Sequence, residues 1–166
     1  MKLNRETIIA SIAVLAILIC ITAWLMPSGL SQAPSVAGKT LDNRTLTLKQ
    51  LRGKPVLITF WATSCPSCIK EIPHLIKLYR EFRPKGLEII GVAMAYDPPQ
   101  QVRATVKQRQ IPYPIILDKD AHIAQAFDNV RLTPTSVLVS PKGRIIHYQL
   151  GPLDMSRLRN AIADML

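Results

Sequence analysis

Apolar residues along this chain fall into stretches of different period, and each period predicts an element. Ile8 to Met26 is 19 residues of almost unbroken apolar character. Wound as a helix it extends about 28 Å, close to the hydrocarbon thickness of a bilayer. Pro27 to Gly38, with Ser, Gly and Pro throughout, reads as a flexible linker. A polar Asp42-Asn43-Arg44 followed by alternating Thr45-Leu46-Thr47-Leu48 predicts a short hairpin. Gly53-Lys54-Pro55 marks a turn, and the β-branched and aromatic run Val56 to Trp61 is the pattern of a buried strand. After Cys65, Ile69, Ile72, Leu75, Ile76 and Tyr79 recur at helical spacing, with a kink expected at Pro73 and an end near Pro84-Lys85-Gly86.

The second half alternates in the same way. Leu87 to Met94 reads as a second buried strand, Pro98-Pro99 opens a helix to about Gln110, and Pro114 to Leu117 is a short strand. Asp120 is expected to cap a brief helix through Phe127. Ser136 to Ser140 and Arg144 to Gln149 flank the turn Pro141-Lys142-Gly143 as an antiparallel pair. Asp154 caps a terminal helix carrying Met155, Leu158, Ile162 and Leu166 on one stripe. Strands alternating with helices, then a hairpin and a helix, predict an α/β domain with a mixed central sheet flanked by helices.

The chain therefore divides into an amino-terminal stub with a transmembrane signal anchor at 1–26, a flexible linker at 27–38 and a folded domain at 39–166. Lys2 and Arg5 precede the apolar span, which by the positive-inside rule leaves the amino terminus in the cytoplasm and the domain on the outer face. A cleaved signal peptide competes, but its apolar core is usually about 7–15 residues and ends in small residues. The one such site, Ser31-Gln32-Ala33, is followed by Pro34. Both readings place the domain outside the cytoplasm, where stable disulfides abound.

Composition sharpens this picture. Hydrophobic content is 48%, high enough that part of it belongs outside a soluble core. Net charge is +10, but the basic residues are scattered in small groups such as Arg80/Arg83/Lys85 and Lys107/Arg109, without the aromatic interleaving of nucleic-acid modules. A solvated basic surface, with no nucleic-acid partner, is the expectation. Three cysteines are too few for a disulfide scaffold. Cys20 falls in the apolar span and reads as inert packing; Cys65 and Cys68 fall where the buried strand gives way to the helix.

That placement carries chemistry. A thiol at a helix start faces unpaired backbone N–H groups and the positive end of the macrodipole, and both favour the thiolate. A free thiol with pKa about 8.5 is only a few per cent ionised at pH 7, and a shift to about 7 makes it half ionised. The second cysteine, three positions on, is placed to close a disulfide and expel whatever the first has captured. Strand, CxxC, helix is a strong signal for thiol–disulfide exchange.

The stretch Trp61-Ala62-Thr63-Ser64-Cys65-Pro66-Ser67-Cys68-Ile69-Lys70-Glu71-Ile72-Pro73 resembles the active site of membrane-anchored, thioredoxin-like proteins of the TlpA/ResA type. The likeness runs over about residues 35–166 and takes in the early hairpin, the Gly-Lys-Pro turn, the helix after Asp97 and Leu132-Thr133-Pro134-Thr135. It implies a thioredoxin fold and a thiol–disulfide oxidoreductase at the bacterial inner membrane, facing the periplasm or extracytoplasmic space. Its substrates would be disulfide-containing exported proteins, with cytochrome c maturation among its settings, and a membrane thiol–disulfide electron donor would recharge it. No cofactor and no metal is called for. The chain departs from the pattern at Ser64, often Trp in the family, and at Thr59, where thioredoxins carry a buried Asp.

On this reading Cys65 is the attacking thiolate and Cys68 the resolving thiol. Glu71, one helix turn past Cys68, is expected to influence their protonation or to move a proton. Trp61, Pro66 and Ser67 are expected at the substrate surface. Pro134 resembles the cis-proline of thioredoxin folds, leaving the Thr133 backbone free to pair with an extended substrate. Asp97 and Glu88 are weaker acid candidates; His74 suggests a metal ligand but lacks partners, and His122 and His147 read as surface residues. Two other functions remain open: a copper-delivery module on the same fold, or a peroxiredoxin-like peroxidase, which Thr63-Ser64-Cys65 faintly echoes.

Overall fold

The computed structural model describes residues 31–166 and, ahead of them, positions 14, 15, 17 and 18. It resolves into two compact units, Met1–Leu30 and Ser31–Leu166. The four described positions of the first unit are helical. Most of the expected span Ile8 to Met26 lies outside the described residues, and among those described no helix is long and apolar enough to cross a membrane.

The second unit is the expected α/β domain. A hairpin of β1 (Ala37–Lys39) and β2 (Thr45–Thr47) leads through a 3₁₀ turn, Leu48–Leu51, to β3 (Val56–Trp61). There follow α1 (Pro66–Phe82), β4 (Glu88–Ala93), α2 (Pro99–Arg109), β5 (Ile115–Leu117), α3 (His122–Ala126), β6 (Thr135–Val139), β7 (Ile145–Leu150) and α4 (Met155–Ala163). The main sheet has the order β5-β4-β3-β6-β7. β3 runs parallel to β4, and β4 to β5, while β6 is antiparallel to both β3 and β7.

β3 is buried along its whole length because both faces of the sheet are covered. Its alternate residues divide between two cores. Leu57 and Trp61 pack with Ile72, Leu75 and Tyr79 of α1, Val102 of α2 and Leu158 and Ile162 of α4. Val56, Ile58 and Phe60 pack with Ile123 and Phe127 on the other side. Each fully buried side chain of this size contributes about 1.5–3 kcal/mol. α1 joins by a stripe at Cys68, Ile72, Leu75, Tyr79 and Phe82, spaced alternately four and three. The helix passes through the exposed Pro73 without breaking.

Two expectations are corrected. The folded unit begins at Ser31, so 31–38 is not linker: Ile145 N–H donates to Ser31 O and Ala33 N–H to Gly143 O, both at 2.9 Å. This short segment caps one edge of the sheet at the start of β7, as Leu41 N–H on Ile115 O caps the other at β5. Backbone groups make these bonds, so Ser- and Pro-rich composition did not disclose them. The start of α3 is satisfied not by Asp120 but by the fully buried Asp118, which accepts from Ile123 N–H and Ala124 N–H at 3.1 and 2.8 Å.

Candidate active site

The carboxyl ends of β3 and β4 and the start of β6 meet at one end of the sheet. Antiparallel pairing sets Thr135 opposite Phe60, so Thr133 and Pro134 lie beside the point where β3 ends. The chain leaves β3 through a turn closed by Cys65 N–H on Ala62 O at 3.1 Å and enters α1 at once. Cys65 is the residue that caps α1: its backbone is extended, and its Sγ accepts from Cys68 N–H at 3.2 Å. Pro66 takes the first helical position, where its missing N–H costs nothing. No acidic residue stands in the first turn to oppose a thiolate.

Cys65 and Cys68 are joined in a disulfide, with their Cα atoms 5.3 Å apart. Cys65 is 9% exposed and Cys68 3%, so the first cysteine is the more exposed of the pair. Ser67 Oγ lies 3.4 Å from Cys65 Sγ, and Pro66 is exposed beside it. Thr133 is half-buried, Pro134 is buried, and the peptide bond between them is cis. Trp61 departs from expectation. It is 4% exposed and packs in the core beneath the disulfide rather than at the surface, and its indole N–H finds no acceptor among the described residues.

Glu71 is buried on the inner side of α1, where its Oε1 accepts from Leu153 N–H at 2.7 Å. Burial pushes its carboxyl above the usual range, while the Leu153 N–H and the His74 charge pull the other way. Nearby, Tyr113's own burial, and after it the negative charge of Glu71, drive that phenol far above its ordinary value. At Thr59, the thioredoxin aspartate position, a buried hydroxyl accepts from Ser136 Oγ at 3.3 Å. The buried carboxylate on the α1 side of the sheet is thus supplied by the helix instead of the strand.

The other acid candidates separate. Glu88 is at the opposite end of the sheet, ion-paired with Lys54 at 3.1 Å and Arg83 at 3.2 Å. Asp97 lies at the disulfide end, where it holds Thr63 through both carboxylate oxygens. His74 and His122 are exposed and His147 is half-buried. Sequence reasoning missed three exposed apolar side chains at this end: Tyr96 after β4, Leu132 before Pro134, and Leu150, which pairs with Thr135. Each lies in or beside a polar loop, where a single large apolar residue sets no period.

Comparison with known proteins agrees with this geometry. Residues 30–148 match the AhpC/TSA family. The thiol–disulfide oxidoreductase ResA of Halalkalibacterium halodurans is 35% identical over 120 residues, covering 72% of this chain and 67% of that protein. ResA of Bacillus subtilis is 27% identical over 170 aligned positions, covering 96% and 93%. A solution structure described as a thioredoxin from Neisseria meningitidis superposes with a TM-score of 0.75 at 34% identity, covering 81% of this chain and 90% of that one. With its paired Cys65 and Cys68 at the head of α1, the chain belongs to the AhpC/TSA family as a ResA-like thiol–disulfide oxidoreductase of thioredoxin fold.

Proposed function

We propose that the protein reduces disulfides in exported proteins, with Cys65 as the attacking group. The observation that carries this is the capped sulfur of Cys65. Cys65 is the more exposed of the pair, and its sulfur receives the Cys68 N–H at the positive end of α1. In the dithiol form, Cys65 thiolate attacks one sulfur of a substrate disulfide and forms a mixed disulfide. The departing substrate sulfur takes up a proton. Cys68, deprotonated in turn, attacks Cys65 Sγ, closes the internal disulfide and releases the second substrate thiol. Two electrons pass from the Cys65/Cys68 pair to the substrate, and a membrane thiol–disulfide donor restores them.

In this reading Glu71 takes the Cys68 proton during that second step; its burial one helix turn past Cys68 and the resulting upward shift of its carboxyl support the role. Thr133 offers backbone groups to an extended substrate strand, Pro66 and Ser67 line the approach, and Tyr96, Leu132 and Leu150 provide apolar contacts around it. The resemblance to ResA-type proteins adds cytochrome c maturation as a setting. An uncleaved anchor at residues 8–26 would hold the domain outside the inner membrane. Val14, Leu15, Ile17 and Leu18 support it, being helical, apolar and each more than half exposed. Metal delivery gains no comparable support: the ligand-type cluster among the described residues, Asp118, Asp120 and His122, contains neither cysteine.

One experiment tests direction and anchoring together. The full chain is extracted from membranes and equilibrated with glutathione buffers. A reductase is expected to need detergent for release and to show a potential toward the reducing end of the CxxC range, about −270 mV. Release without detergent would remove the anchor, and a potential near about −120 mV would make the protein an oxidant.

A further inference from the structure

The turn that delivers Cys65 to α1 is held from outside its own strand and helix. Thr63 and Ser64 form its corner, between Ala62 and Cys65. Asp97, 34 residues further on, grips the first of these corner residues twice: Thr63 N–H donates to Oδ2 at 2.7 Å and the Thr63 hydroxyl to Oδ1 at 2.5 Å. Asp97 is itself fixed, with its N–H on Met94 O at 2.9 Å, and Met94 N–H returns to Trp61 O at 3.1 Å. The carboxylate is only 4% exposed. A buried charge is costly unless its lone pairs are satisfied, and here the main satisfaction comes from one residue of one turn. Two bonds from a single residue set the orientation of that residue as well as its distance.

We propose that Asp97 is a positioning residue: by clamping the corner at Thr63 it aims Cys65 Sγ at the Cys68 N–H and so keeps the attacking sulfur ready. The inference rests on Cys65 being the attacking thiol. Asp97 touches neither sulfur in the contacts described; it acts through the turn. The charged and titratable groups on the adjoining elements are Lys70, Glu71 and His74 toward the start of α1, with Lys77, Arg80 and Glu81 further along it, Arg103, Lys107 and Arg109 on α2, and Asp97 itself in the loop after β4. The clamp and the charge of Asp97 predict opposite effects. Losing a negative charge near a thiol lowers its pKa, whereas losing the aim of the Cys68 N–H raises it.

The test is alkylation of the reduced full chain in detergent by iodoacetamide across pH, with the modified cysteine assigned by peptide mass. In Asp97→Ala the Cys65 midpoint is expected to rise by about half to one unit, slowing modification at pH 7 by about three- to tenfold. Thr63→Val, which keeps the N–H and loses the hydroxyl, should shift the midpoint the same way by less and provides the readout should Asp97→Ala fold poorly. Thr63→Ser keeps both donors and should lie closer to wild type than Thr63→Val. An unchanged midpoint with a lower melting temperature would reduce the clamp to a structural tie, and a lowered midpoint would show that Asp97 acts by its charge; either result overturns the proposal. If Cys65 in the wild-type chain is not the sulfur modified first, it is the assignment of the attacking thiol that fails.

Discussion

Glu71 lies one turn beyond Cys68 and is almost as buried as the disulfide. Burial raises its carboxyl above the ordinary value of about 4.3, so between that value and the raised one the folded protein binds more protons than the unfolded chain. Stability therefore falls as pH rises through this window and stays lower above it. Glu71→Gln keeps volume and the oxygen that accepts from Leu153 N–H but cannot ionise. Thermal unfolding from pH 4 to 8 should show the fall in wild type and not in the variant, which should be the more stable above the window. Parallel curves would contradict the burial argument. At this scale the sequence was legible where chemistry and position coincide. Cys65 and Cys68 stand out because a buried strand, a CxxC and a helical stripe meet there. Trp61 carries two readings in the sequence, the end of a buried strand and a substrate contact; the first is what the fold shows, with Trp61 on the same face of β3 as Leu57, toward α1. Asp97 and Thr63 are joined only by folding, and no local pattern links positions so far apart.

Among the elements, the β1–β2 hairpin is tied to α3 by a contact whose strength changes with pH. His122, the first residue of α3, places Nε2 2.8 Å from Ala37 O and Nδ1 2.6 Å from Asp120 Oδ1, with Asp118 Oδ1 at 3.3 Å. Both ring nitrogens thus face oxygens that only accept, and only the imidazolium donates from both. The Asp120 bond, the Ala37 carbonyl and the two carboxylate charges accordingly raise the imidazole above its ordinary value of about 6.5. The stabilisation is fully present below that value and is lost as pH rises through the raised one. Amide exchange in Val36–Thr47 should accelerate across that rise beyond the intrinsic dependence, and His122→Ala should abolish the extra step; an identical profile in both would remove the tie. The elements themselves were legible wherever period was strong: β3, β4 and α1 follow from apolar runs and a helical stripe. The start of α3 was not, because Asp118 and Asp120 are equally good caps by type, and only the fold buries the first against the helix amides.

Across the whole described domain, one end of the sheet gathers what the chain scatters over some ninety residues: the Cys65–Cys68 pair, the Asp97 clamp, Thr133–Pro134 and the exposed apolar side chains. Parallel β3 and β4 both finish there, and antiparallel β6 begins there, so the topology performs the gathering. Alternation of strands and helices announced the layered fold, but strand order carries no mark in the sequence and is seen only in the structure. The edge contacts of residues 31–33 and 40–41 were hidden for a related reason, since they are made by backbone rather than by side chains. What the assembled end must do is capture a substrate sulfur at one cysteine and release it by the other. The most direct measurement is isolation of mixed disulfides from cells carrying the full chain as Cys68→Ala or as Cys65→Ala. Cys68→Ala should accumulate exported proteins bound through Cys65, and Cys65→Ala should not. Equal trapping by both variants, or capture through Cys68 alone, would contradict the account.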